Sequence, residues 1–263
     1  MKVENSMENL KAVKAWLGEP ISMDPHTYAL FRCQSRSNLI IVGQDEKAAT
    51  AMLLISVISL VSQQSPSQAS FYFLNLSNVD AAWHDLPEQL ADSMPHEINV
   101  GKRRDDADLM VYIANEVGQR SQNDEDTIES SLYLIILGLQ RAKNLRSVDE
   151  YEPSPAAQNL ALILRDGPDL RVHTLLWCDT LASFERVLER RFMYEFDMRV
   201  AMQMSEDDST SFITTSSANK LGHHRAFYYD EERAGQLEKF RPYALPGARF
   251  IQEIGAKLTE KSK

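Results

Sequence analysis

Short apolar runs separated by helical patterns recur along the whole chain. Residues 39–42, 70–76, 131–137 and 172–178 are continuous apolar stretches rich in β-branched and aromatic side chains. Strands buried on both faces read this way. The run at 131–137 is the most apolar and is expected at the centre of a sheet. Helical periodicity fills the intervals at 46–62, 80–93, 104–119 and 154–165. Asp80 is suited to cap the second of these, and Pro155 stands at the first position of the last. Shorter strands are expected at 97–100, at 198–204 and, on a sheet edge, at 28–34. Residues 181–196 read as a helix, 208–216 as a helical turn, 225–229 with 237–243 as a hairpin, and 246–260 as a terminal helix. Residues 1–17 alternate charged and apolar positions like an amphipathic helix ending at Gly18. Strands alternating with helices predict an α/β fold with a largely parallel central sheet, helices on both faces and a C-terminal hairpin.

The richest stretch is the strand, turn and helix around Gly43. A phosphate-binding loop reads G-x-x-x-x-G-K-[ST] in this setting. Here the frame is Gly43, Gln44, Asp45, Glu46, Lys47, Ala48, Ala49 and Thr50. Gly43 and Thr50 hold the first and last positions. Ala48 stands where the second glycine belongs and Ala49 where the lysine belongs, while Lys47 falls two residues early. Such a loop cradles phosphates with backbone N–H groups and neutralises them with its lysine. Two readings stay open: a nucleotide site that has lost its charge, or a βα turn that needs only a glycine and a hydroxyl. A helix N-terminus attracts an anion weakly in either case.

Composition narrows the partners. The 263 residues are 43% hydrophobic and 25% charged, as in folded globular chains, with a net charge of −10. That balance opposes a broad grip on nucleic acid but allows a local basic strip. Cys33 and Cys178 lack metal-ligand spacing and lie in apolar surroundings, as two reduced thiols of a cytoplasmic protein would. The run at 51–61 is too short to span a bilayer, no signal peptide is visible, and no membrane insertion is expected. The abrupt charged leader points to a piece of a longer polypeptide. The expected layout is a leader helix or linker at 1–18, one domain at 19–245 and a helix with tail at 246–263. Residues 121–129 and 143–153 read as charged surface loops.

The order of segments resembles the RecA-like P-loop NTPase motor domain of the FtsK/SpoIIIE DNA translocases from about residue 17 to 243. The second half carries most of the likeness. Leu164 to Asp179 is similar to a helix end and strand in which an Arg-x-Gly-Arg stretch leads to Gly-Ile-His and an apolar run closing in Thr-Gln. His173 and the apolar run match, whereas Cys178 and Asp179 replace the closing pair. Met198 to Ser209 resembles the family's Arg-Ile, apolar run, Ser and Asp-Ser signature. Ala218 to Gly222 with Arg225 to Tyr229 resembles its Ala, Leu-Gly and closing strand.

The resemblance implies ATP and Mg²⁺ as cofactors, but the departures fall on that chemistry. The family's central strand ends in Asp-Glu, to bind Mg²⁺ and activate water. Here it ends Leu137, Gly138, Leu139, Gln140. Without lysine, metal-binding aspartate or base, phosphoryl transfer lacks its main electrostatic stabilisation. The expectation is a degenerate ATPase module with no catalytic residue, no metal and no resident cofactor. Its partners would be other motor domains of the same polypeptide or ring, with DNA met only through the assembly. An active translocase with an atypical loop, or a peptide- or protein-binding module like degenerate type VII secretion ATPase domains, are the alternatives.

Several further residues have plain readings. His173 fits a hydrogen-bonded core histidine. His223 and His224 lack a third ligand nearby. Arg186, Arg190 and Arg191 interleave with Glu185 and Glu189, with Arg186 and Glu189 spaced to pair on one helix face. The alternative for these arginines is contact with a neighbouring subunit. Lys102, Arg103 and Arg104 balance the acids that follow or touch nucleic acid.

Overall fold

A computed structural model describes residues 12–21, 25–122, 130–146, 152–233 and 235–261. One ten-stranded sheet organises them. In chain order its elements are β1 (Val13–Pro20), β2 (Thr27–Phe31), β3 (Leu39–Val42), α1 (Glu46–Gln63), β4 (Ala69–Asn75), α2 (Leu86–Ser93), β5 (Glu97–Gly101) and α3 (Asp106–Arg120). There follow β6 (Ser131–Leu137), α4 (Pro155–Asp166), β7 (Val172–Cys178), α5 (Leu181–Glu185), β8 (Met198–Ala201), α6 (Glu206–Ile213), β9 (Ala226–Asp230), β10 (Gln236–Pro242) and α7 (Ala248–Lys261). The strand order is β2-β1-β10-β9-β8-β3-β7-β6-β4-β5. From β8 to β5 every pairing is parallel. From β2 to β8 every pairing is antiparallel, and β9 with β10 forms the expected hairpin.

The apolar runs become strands because both of their faces are covered. Every residue of β3, β6 and β7 is buried. Alternate side chains feed two cores, one holding Ile40, Leu134, Ile136 and Leu176 and the other Ile41, Ile135, Leu175 and Trp177. α1 is buried nearly all round, which is why its composition is apolar on every side. It is the described helix long and apolar enough to cross a membrane, yet it serves as core.

Four expectations change. Residues 1–11 of the expected leader helix lie outside the described residues, and Val13–Pro20 is a strand running through the junction expected at residue 18. Ala15 and Leu17 face the core while Lys14 and Trp16 point away, a period of two, and partners on both sides satisfy the backbone. The helix expected from Asp80 begins at Leu86, with Pro87 in its first turn. The helix expected at 181–196 breaks after Glu185 and resumes as a 3₁₀ turn over Arg190–Glu195. The pairs formed there are Arg190–Glu185 (4.0 Å) and Arg191–Glu189 (2.8 Å) rather than Arg186 with Glu189. Finally, Cys33 is exposed, its thiol reaching the Asp169 carbonyl 2.9 Å away, and only Cys178 is buried. Most of the loops expected at 121–129 and 143–153 fall outside the described residues.

Candidate functional site

β3 emerges between β7 and β8, and the chain turns at its C-terminal end into α1. Crevices at such strand ends are where open α/β sheets bind ligands. Gly43 closes the strand with φ +149°, its N–H donating to the Cys178 carbonyl (3.2 Å). Its own carbonyl accepts from Trp177 Nε1 at 2.9 Å. A Cβ on Gly43 would lie 2.4 Å from the Cβ of Met202, which follows β8. The glycine is required by close approach, with β7 and β8 both leaning on the turn.

The turn itself is short. Only Gln44 and Asp45 separate Gly43 from α1, so residues 46–50 are wound into helix. The Asp45 carboxylate caps that helix, accepting from Ala48 N at 3.0 Å, and Ala49 N donates to the Asp45 carbonyl at 3.0 Å. Thr50 is fully buried, and its hydroxyl donates to the Glu46 carbonyl at 2.8 Å. Ala49 is fully buried in the core, and Lys47 points outward. All eight candidate positions are thus contiguous here, but as a tight turn and first helical turn. The N–H groups of Ala48 and Ala49 already have partners.

The second half of the arrangement comes from the end of β6. Gly138 adopts φ +99° and starts a 3₁₀ turn, Leu139–Arg141. The turn swings Arg141 back so that Nη2 donates to Glu46 Oε2 at 2.5 Å and Nη1 to the Leu76 carbonyl at 3.2 Å. The guanidinium also sits 5.9 Å from the Trp177 ring centre. Glu46 Oε1 accepts from Asn78 N at 3.2 Å. The polarity is inverted relative to a working loop, with the acid on the helix start and the cation beyond the end of β6, two strands away. Asp45 and Glu46 together answer the partial positive charge of the helix N-terminus that a phosphate would otherwise use.

Beside this turn lies a cavity of 390 Å³ lined by Asp45, Ala48, Gln203, His223, His224 and Arg225, among others. Arg225 is half-buried and donates to the His224 carbonyl at 2.9 Å. The described residues contain no group of three or more His, Cys, Asp or Glu side chains placed to hold a metal. The wall therefore offers a carboxylate on one side and nitrogen donors on the other, suited to polar side chains or peptide groups.

The remaining flagged residues fall elsewhere. His173 is buried and bonds the Ser37 carbonyl through Nδ1 at 2.9 Å; burial pushes its pKa down to about 4. Burial likewise pushes the Cys178 thiol far up, which leaves it inert. Lys102 and Arg104 lie loosely against Glu88 and Asp105, each at 3.7 Å. The sequence reading did not single out Arg141, Asn78 or Met202. Arg141 carried one faint signal, as the first cation after the apolar strand 131–137.

No family model and no curated protein matches this sequence. Solved structures do match in fold. Thermomonospora curvata EccC (ATPases 2 and 3), in complex with a signal sequence peptide, superposes with a TM-score of 0.68 at 12% identity, covering 95% of this chain and 47% of that one. EssC (ATPases 2 and 3) from Geobacillus thermodenitrificans gives 0.67 at 12%, covering 95% and 49%. The pCW3 conjugation coupling protein TcpA, in a monomer form with ATPgS, gives 0.68 at 11%, covering 97% and 72%. The chain spans about half the length of the first two. It has the α/β fold of these ATPase domains, the fold that the FtsK/SpoIIIE resemblance implied.

Proposed function

We propose that this chain is a degenerate FtsK/SpoIIIE-type ATPase module with a structural or regulatory role and little or no ATP hydrolysis. In this reading it is a cytoplasmic protein, the terminal domain of a larger multidomain translocase. It completes a ring or gates a neighbouring motor domain, and meets duplex DNA only through that assembly. The Glu46–Arg141 pair, bonded at 2.5 Å at the first residue of α1, carries the reading. A triphosphate at that turn would meet the Asp45 and Glu46 carboxylates, and the Arg141 guanidinium is already paired with Glu46.

The 390 Å³ cavity beside the turn supports a second reading, in which a peptide or partner helix occupies the space next to the vacated site. One structural neighbour is a complex with a signal sequence peptide, which makes such an occupant reasonable by analogy. Steady-state ATP hydrolysis, measured with and without duplex DNA, tests the main proposal. No turnover above buffer is expected in either condition. DNA-stimulated release of phosphate would overturn it in favour of an active translocase with an unusual loop.

A further inference from the structure

At the sheet edge farthest from the parallel half, one face of unusual make-up is left uncovered by the described residues. In the register of β1 with β2, Lys14 lies opposite Leu30 and Trp16 opposite Tyr28. In the register of β1 with β10, Glu19 lies opposite Arg241, and Lys239 shares Arg241's face two residues earlier. α1 packs on the other face, against Ala15, Leu17 and Phe240. The open face therefore joins aromatic rings and cations in one patch. Trp16 stacks on His26, with ring centres 4.8 Å apart, and His26 is hydrogen-bonded to the Tyr243 hydroxyl. The Lys14 ammonium lies 4.3 Å over the Tyr28 ring. Arg32 is matched by Glu232 (2.7 Å), and Arg233, whose guanidinium also lies 5.3 Å from the Tyr28 ring centre, by Asp230 (3.2 Å). Lys14, Lys239 and Arg241 form no such pair among the described residues and give the face its charge, against a chain total of −10.

We propose that this three-stranded face is a docking platform for single-stranded nucleic acid. Bases stack on the Trp16–His26 ledge, and on Tyr28 where they displace the exposed Lys14 side chain and leave the Arg233 guanidinium beside the ring. Phosphates meet Lys14, Lys239 and Arg241. Aromatic rings interleaved with cations on an open antiparallel sheet are the combination such strands need, because every base has a face to stack while the backbone needs only charge. A duplex keeps its bases stacked on each other and would leave the rings unused. An acidic protein segment would use the cations but gain nothing specific from the Trp16–His26 stack.

The test is fluorescence anisotropy of a labelled oligothymidylate of about 15 nucleotides, within the range such platforms occupy, titrated with the full chain at low salt. Saturable binding is expected, with quenching of Trp16 fluorescence in a Trp83→Phe background, where the buried Trp177 adds a constant signal. Trp16→Ala should weaken binding about tenfold, the scale of one lost base–aromatic stack, while Trp16→Phe retains most of it. Lys239→Glu with Arg241→Glu should weaken binding and flatten the dependence of log affinity on log salt by roughly 1.4, at about 0.7 for each phosphate contact on a single strand. Arg190→Glu, on a distant surface, should change neither. Absence of binding at low salt, or binding indifferent to Trp16→Ala, overturns the proposal. A preference for the matching duplex, or equal displacement by polyglutamate, also overturns it, the latter pointing to an acidic protein partner.

Discussion

The ion pair that closes the turn should be measurable as stability. Arg141→Met removes a charge-assisted bond at 2.5 Å and a second bond to the Leu76 carbonyl at 3.2 Å. It keeps an unbranched apolar stem and leaves the Glu46 carboxylate, only 16% exposed, with the Asn78 N–H and the helix N-terminus. Hydrogen bonds to charged groups contribute about 1.5–3 kcal/mol each in proteins. The Arg141 side chain is 27% exposed, so water recovers part of the loss. A net cost of about 2 kcal/mol follows, which for a chain of this size lowers the melting temperature by roughly 4–8 °C. Glu46→Gln should cost less, because the amide oxygen can still accept from Arg141. The double variant should recover about 1 kcal/mol relative to the sum, the mark of direct coupling. Thermal and urea denaturation of the four proteins give the cycle. Additive effects, or an Arg141→Met shift below about 1 °C, would mean that the pair is a surface ornament and the turn is open.

Gly43→Ala should be severely destabilising, about 3 kcal/mol or more, because it puts a Cβ 2.4 Å from that of Met202 at φ +149°; a melting curve within 2 °C of the parent would refute the packing around the turn. Ala48→Gly with Ala49→Lys rebuilds the loop's signature on paper. Because Ala49 is fully buried beneath a two-residue turn, the double variant should lose stability and gain no affinity for ATP in a calorimetric titration. His173 supplies a pH test. Its pKa is lowered to about 4 by burial, below the ordinary imidazole value, so the unfolded chain takes up the proton first. Stability should be complete above about pH 6.5 and decline towards pH 4, by up to roughly 1.4 kcal/mol for each pH unit. His173→Gln should therefore be less stable than the parent at pH 7.5, with a deficit that narrows on acidification; a deficit independent of pH would contradict the assignment.

Much of the fold was legible because burial on two faces writes itself as uninterrupted apolar runs. Residues 39–42, 131–137 and 172–178 could be placed as buried strands without their partners, although 131–137, expected at the centre, is third from the β5 edge. The failures share one cause. Val13–Pro20 reads equally as a helix or a strand until β2 and β10 flank it, and short mixed patterns are decided by such neighbours. The segment after Glu185 keeps helical spacing, yet Val187, Leu188 and Phe196 are buried in a turn that helical geometry alone does not anticipate. At the site, the missing lysine and the missing acids were visible as letters. What replaced them was not, because Glu46 and Arg141 are 95 residues apart in sequence. The open face of β1, β2 and β10 was hidden for the same reason, since its rings and cations come from three separate strands.

The central claim is that the turn after Val42 is closed to nucleotide, and melting temperature in ATP and Mg²⁺ tests it most directly. A site of about 50 µM affinity would stabilise the chain by about 2.7 kcal/mol at roughly 5 mM nucleotide, a rise of several degrees. The closed turn predicts no rise beyond that produced by an equal concentration of inorganic triphosphate. A nucleotide-specific rise of that size, abolished by Thr50→Val, would show that Gly43 to Thr50 still form a working phosphate loop.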